Sequence, residues 1–433
     1  MKSQDASREP EKLEFDKTVL DSGVRVLSST LPHTQAVSIL LLFGAGSRYE
    51  TNELAGASHL FEHLLFKGTA KRTSPRDISE VVEGVGGALN AYTDREITGY
   101  WCRLALPHYR QGLDVLVDMI RNSLLRETDI AREKQVVFEE IRASHDSPGG
   151  RVAEMADDLL WPDQAMGRDI AGSIDSVDGL SRDVMNGYLD SQYVAPNCVL
   201  AIAGAVTHDE LVEQAASILG DLGKGNPAPM FPFVDNLRGP VARIEYRKTE
   251  QVQISLGIHG ISMFDGDRHA LHLMSVALGE SMGSRLFQEV REKRGLAYAI
   301  NSSVSNYSDC GAIHVESGVD PKRVEEAIQV IVHEIAKLRD GLADDELARA
   351  KELTKGRLLL RMEESRAVAS SLGIQELLKG DVKTVDEIIS DIDDVGNSDV
   401  IRVANRLLVA NKLVLGAVGP LRSEDRLIKH LTL

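Results

Sequence analysis

The chain has 433 residues, 43% hydrophobic and 27% charged, a globular composition on a length too great for one hydrophobic core. Its formal net charge of −17 argues against a nucleic-acid grip, which relies on neutralising phosphates, and against an anionic membrane surface. No apolar run approaches the roughly 20 residues that span a bilayer, and Met1–Phe15 lacks the apolar centre of a secretion signal, so a soluble cytoplasmic protein with no membrane insertion is expected.

Taken in chain order, alternation and helical periodicity predict strands at Gly23–Leu27 and Ala36–Phe43, then helices at Leu54–Phe66 and Pro75–Glu83. Strands at Ala88–Thr93 and Thr98–Leu106 follow, with a helix at Pro107–Ser123 and another opening at Thr128 as N-cap. The stretch GKGNPAPMFPFVDNLRGP, residues 223–240, holds four prolines and three glycines, and reads as an interdomain linker. Beyond it the order repeats. Strands are predicted at Val241–Arg247 and Gln251–His259, helices at His269–Leu278 and Ser284–Arg294, strands at Ala297–Tyr307 and Ala312–Gly318, and a helix at Pro321–Leu338. The expected architecture is α+β: two similar domains, 1–222 and 241–433, each a mostly antiparallel sheet covered by helices.

Residues 57–66 contain H-x-x-E-H. On a helix, His59 and His63 project from one face a turn apart, and two imidazoles so placed can grip one ion. Glu62 flanks that face and is free to take a proton from a metal-activated water. A catalytic zinc needs a third protein ligand and an open position. Glu133 and Glu140 lie two turns apart on one helical face, with Val136 and Val137 between them, and carboxylates on an apolar face need a cation. Glu140 is the expected ligand and Glu133 the carboxylate that orients a histidine or the water; Glu139 competes for the ligand role but points about 100° away. Cys102, Cys198 and Cys310 show no CxxC pairing and offer no thiolate site.

HLFEHLLFKGT, EKQVVFEEI, GGALNAYTDREIT and SRLFQEVREKRGLAYAI together resemble the pitrilysin and insulin-degrading family of inverted-motif zinc peptidases. More narrowly, they resemble its single-module bacterial branch, similar to the catalytic subunit of the mitochondrial processing peptidase. The resemblance implies one zinc per chain on His59, His63 and Glu140, with Glu62 as general base. It implies that Asn90 and Ala91 lie on a strand edge pairing with substrate backbone, and that Arg291 and Tyr298 contact substrate and stabilise the oxyanion. It also implies half of a clam-like chamber for peptides, closed as a homodimer or with a related chain. A non-catalytic peptide-binding scaffold is the other class, although such a chain would be expected to lose part of H-x-x-E-H.

Overall fold

The computed structural model describes residues 14–409 and 412–433. In the first half, strands β1 (Asp16–Val19), β2 (Arg25–Thr30), β3 (Ala36–Phe43), β4 (Ala88–Thr93), β5 (Thr98–Ala105) and β6 (Cys198–Gly204) form one sheet in the order β1-β2-β6-β3-β5-β4. In the second half, β7 (Val241–Tyr246), β8 (Val252–His259), β9 (Ala297–Asn306), β10 (Gly311–Val319) and β11 (Leu413–Gly419) form another, in the order β7-β11-β8-β10-β9. Without β1 the two orders are the same, and in each the first strand pairs parallel with the last while the remaining pairs are antiparallel. The edge strand β9 is therefore the counterpart of the edge strand β4.

Most predicted boundaries move by one to three residues, and three of the shifts have a local cause. The first long strand begins at Arg25 instead of Gly23, because Leu20 and Val24 are tied across a tight turn at Gly23. Helix α1 covers Ala57–Leu65 and not Leu54–Phe66, since Gly56 holds φ 91° and interrupts the run before it. Helix α4, Glu127–Asp146, starts one residue before Thr128, with Arg126 at its N-cap and no side chain capping it. The acidic Glu127 and Asp129 in its first turn favour that start by opposing the helix dipole.

Period-two alternation divides each sheet between two cores. Val37, Ile39, Leu41 and Phe43 of β3 enter the core shared with α1 and with α3, Tyr109–Asn122. Leu40 and Leu42 face the other way, onto Val368, Ala369 and Leu372 of α12, Ser365–Lys379. The second sheet mirrors this exchange: Val414 and Val418 of β11 pack under α5, Pro148–Leu160, through Val152, Met155, Leu159 and Leu160. Each sheet is thus covered on one face by a helix from the other half of the chain. Residues 223–238 carry no helix or strand, yet the segment is held on both sides. Arg48 exchanges bonds with the backbone of Phe231, Gln164 with that of Val234, and Asp309 accepts from the Phe233 N–H.

Candidate active site

Helix α1 buries Ala57, Leu60, Phe61, Leu64 and Leu65 against the first sheet, which turns His59, Glu62 and His63 outward toward α4 and β4. Its N-terminus is fixed by Glu50, a fully buried carboxylate that accepts from the Gly56 N–H at 2.8 Å, the Ser58 N–H at 2.7 Å and the Ser58 hydroxyl at 2.6 Å. Burial pushes the Glu50 carboxyl up, and those donors, with Arg168 nearby, pull it back. A carboxylate at a helix N-terminus also meets the positive end of the dipole.

Three side chains converge in front of this helix. Nε2 of His59 lies 3.6 Å and Nε2 of His63 lies 3.5 Å from Oε2 of Glu140. Ligand atoms about 2.0–2.1 Å from a tetrahedral zinc sit roughly 3.3 Å from each other, so the spacing fits one ion. The donor set fits as well. Burial, helped by His63, lowers His59 to about 4, which leaves its ring neutral and able to ligate at neutral pH. A neutral ring and a carboxylate aimed at one point call for a cation.

Around this cluster, Glu133 is buried and places Oε2 3.3 Å from Nδ1 of His63, while its other oxygen pairs with Lys67 at 2.9 Å. Glu133 therefore fixes which nitrogen of His63 faces Glu140. Glu139 points elsewhere and pairs with Arg142. The face between the two carboxylates is only half apolar, because Val137 is buried whereas Val136 is 42% exposed. Glu62 lies next to the cluster and accepts a 2.6 Å bond from the Thr93 hydroxyl. Burial raises the Glu62 carboxyl above the usual glutamate range, and the charge of Glu140 adds to this; Thr93 and His63 oppose it. A carboxyl raised toward neutrality suits proton transfer.

Sequence periodicity did not single out Thr93, Lys67 or Glu50. Thr93 had one available signal, the alternation of β4, in which Leu89 and Ala91 pack with the α1 core and residue 93 falls on the same side. Asn90 and Ala91 lie on the free edge of the sheet, opposite Trp101 and Tyr100, and the Ala91 N–H is held by the Asn90 side chain at 2.8 Å. Arg291 sits in a π-helix, Phe287–Glu292, with its guanidinium over the rings of Phe287 and Tyr298 at 4.6 and 5.0 Å. Tyr298 is 78% exposed at the start of β9. Among the described residues no hydrogen bond or ion pair joins this pair to the histidine cluster. In α9 (Arg268–Gly279), His269 faces Asp391 at 3.4 Å, and that carboxylate is already paired with Arg268 and Lys383.

Known proteins resemble this chain in sequence and in fold. Residues 25–173 match the insulinase family, peptidase family M16, and residues 179–354 match the peptidase M16 inactive domain. An uncharacterized zinc protease of Streptomyces coelicolor is 36% identical over 416 residues, covering 94% of this chain and 90% of its own. The uncharacterized zinc protease YmxG of Bacillus subtilis is 32% identical over 400 residues, covering 92% and 97%. Among solved structures, a protease from Helicobacter pylori superposes with a TM-score of 0.89 at 22% identity, over 95% of this chain and all of that one. A peptidase M16 inactive domain from Pseudomonas fluorescens does so at 0.87 and 20%, again over 95% and all of it. On the strength of the matched domains and the near full-length relatives, this chain belongs to the insulinase, or M16, family of zinc metalloproteases.

Proposed function

We propose that the chain is a metalloendopeptidase that hydrolyses oligopeptides or unfolded precursor segments, with His59, His63 and Glu140 as zinc ligands and Glu62 as general base. Bound there, zinc supplies Lewis acidity toward water and the scissile carbonyl. Glu62 takes the proton from the attacking water at its carboxylate and returns it to the leaving amine. Glu133 keeps His63 in the ligating orientation. The free edge of β4, at Asn90 and Ala91, offers main-chain pairing to an extended peptide without demanding particular side chains. Arg291 and Tyr298 act on substrate and its developing oxyanion from the second half, a role that the exposure of Tyr298 supports. In this reading 1–222 is the zinc domain, 223–240 the linker and 241–433 the wall of the peptide chamber. The working form is a homodimer, since one chain carries both sets of motifs.

The observation that carries the proposal is the approach of both imidazole Nε2 atoms to one Glu140 oxygen, at 3.6 and 3.5 Å. Its test is hydrolysis of a mixed peptide pool by the purified chain. A chelator is expected to abolish cleavage and added zinc to restore it. Glu62→Gln should keep about one zinc per chain and lose hydrolysis, whereas Glu140→Ala should lose zinc by elemental analysis. Full activity in Glu62→Gln removes the base assignment.

A further inference from the structure

Thr93 closes β4 at the point where the strand passes α1, and its hydroxyl donates to Oε2 of Glu62 at 2.6 Å. Among the described residues this is the one hydrogen bond made by the Glu62 side chain. A glutamate on a helix has a broad terminal torsion, so its two oxygens sweep a wide arc unless something holds one of them. Threonine is suited to that task, because its β-branched side chain is stiff about χ1. With Oε2 engaged, Oε1 is the oxygen left to meet a water.

The support behind Thr93 is itself rigid. Thr93 pairs with Thr98 across the β4–β5 hairpin, Thr98 donates to the Ala45 carbonyl at 3.0 Å, and the Asp94 N–H closes the turn on Ile97 at 2.8 Å. The two remaining turn residues are gripped by the second half and by α5. Arg95 reaches Asp157 at 2.7 Å and the Tyr307 hydroxyl at 3.3 Å; Glu96 accepts from the Ser308 N–H at 3.1 Å and its hydroxyl at 2.9 Å, and pairs with the buried Arg48. The hairpin that pins Glu62 is thus the hairpin whose outer edge is open to a peptide backbone.

Resting on the reading of Glu62 as the base, we propose that Thr93 is a positioning residue for hydrolysis: it fixes the Glu62 carboxylate in the frame of the β4 edge, so that substrate and base are aligned by one strand. Misplacement of a reacting group by about an ångström can lower a rate by on the order of 10²-fold.

The test uses the full-length zinc-loaded protein. Thr93→Val keeps the shape and removes the donor; it should lower kcat by at least about 10-fold while KM stays within about twofold and zinc content is unchanged. Thr93→Ser, which restores a donor, should return kcat to within about threefold of the natural chain. An unchanged kcat in Thr93→Val overturns the proposal, as does a loss confined to KM, a loss of zinc, or a serine variant as slow as the valine one. Glu62→Gln run alongside separates the two readings. If it is inactive while Thr93→Val is fully active, only the positioning role fails; if it is fully active, the base assignment has failed first.

Discussion

At the residue scale, the titration of His59 makes a prediction of its own. Its folded value, about 4, lies below the free value of about 6.5 because burial opposes the charged ring. The unfolded chain therefore binds the extra proton first, and His59 takes stability away from the metal-free protein as pH falls from about 6.5 toward 4. Metal-free wild type should lose melting temperature more steeply between pH 7 and pH 5 than metal-free His59→Gln. Equal slopes would show that other groups carry the whole effect. Residues of the cluster were legible to different degrees. The i, i+4 histidines and the i, i+7 glutamates follow from helical geometry, so four positions could be named from spacing alone. Thr93 and Lys67 meet their carboxylates across the fold, and although the alternation of β4 gives the side on which Thr93 falls, no spacing marks either side chain for such a partner.

At the scale of elements, most strands were readable because alternation is strong in this chain, whereas strands β1, β6 and β11 and the helices over 148–219 and 344–428 were not predicted. β3, β4 and Pro75–Glu83, helix α2, begin and end where periodicity places them. The helix predicted at Ser284–Arg294 is a π-helix over Phe287–Glu292, and that character was not readable, since one extra residue per turn leaves the apolar stripe almost unaltered. The start of α1 depended on Gly56, whose φ of 91° suits glycine and whose added Cβ would stand 2.5 Å from the Ala171 carbonyl. Gly56→Ala should therefore destabilise the fold by more than about 1 kcal/mol and weaken zinc retention, because α1 would tilt at its N-terminus. Chemical denaturation and a competition assay for zinc measure both; an unchanged midpoint would mean that the 169–172 loop yields freely.

For the whole molecule, the two sheets share one topology, which the repeated order of elements in the sequence had suggested. The exchange of cover helices was not suggested, because an amphipathic stripe on α5 or α12 says that a face is buried and not which sheet receives it. Removing α12 would leave Leu40 and Leu42 of β3 facing water, and removing α5 would do the same to Val414 and Val418. Fragments 1–226 and 227–433 should each aggregate when made alone and copurify as a soluble pair when made together, as judged by size exclusion. A monomeric, cooperatively melting 1–226 fragment would contradict this. Among the described residues no helix is long and apolar enough to cross a membrane.

The three converging donors are not equally sheltered: the Glu140 side chain is 46% exposed, against 19% and 18% for the two rings. Water therefore reaches the cluster from the carboxylate side, and an ion can arrive or depart past Glu140 without parting the sheets. For the proposed zinc site this predicts that folded, metal-free protein takes up zinc without first unfolding.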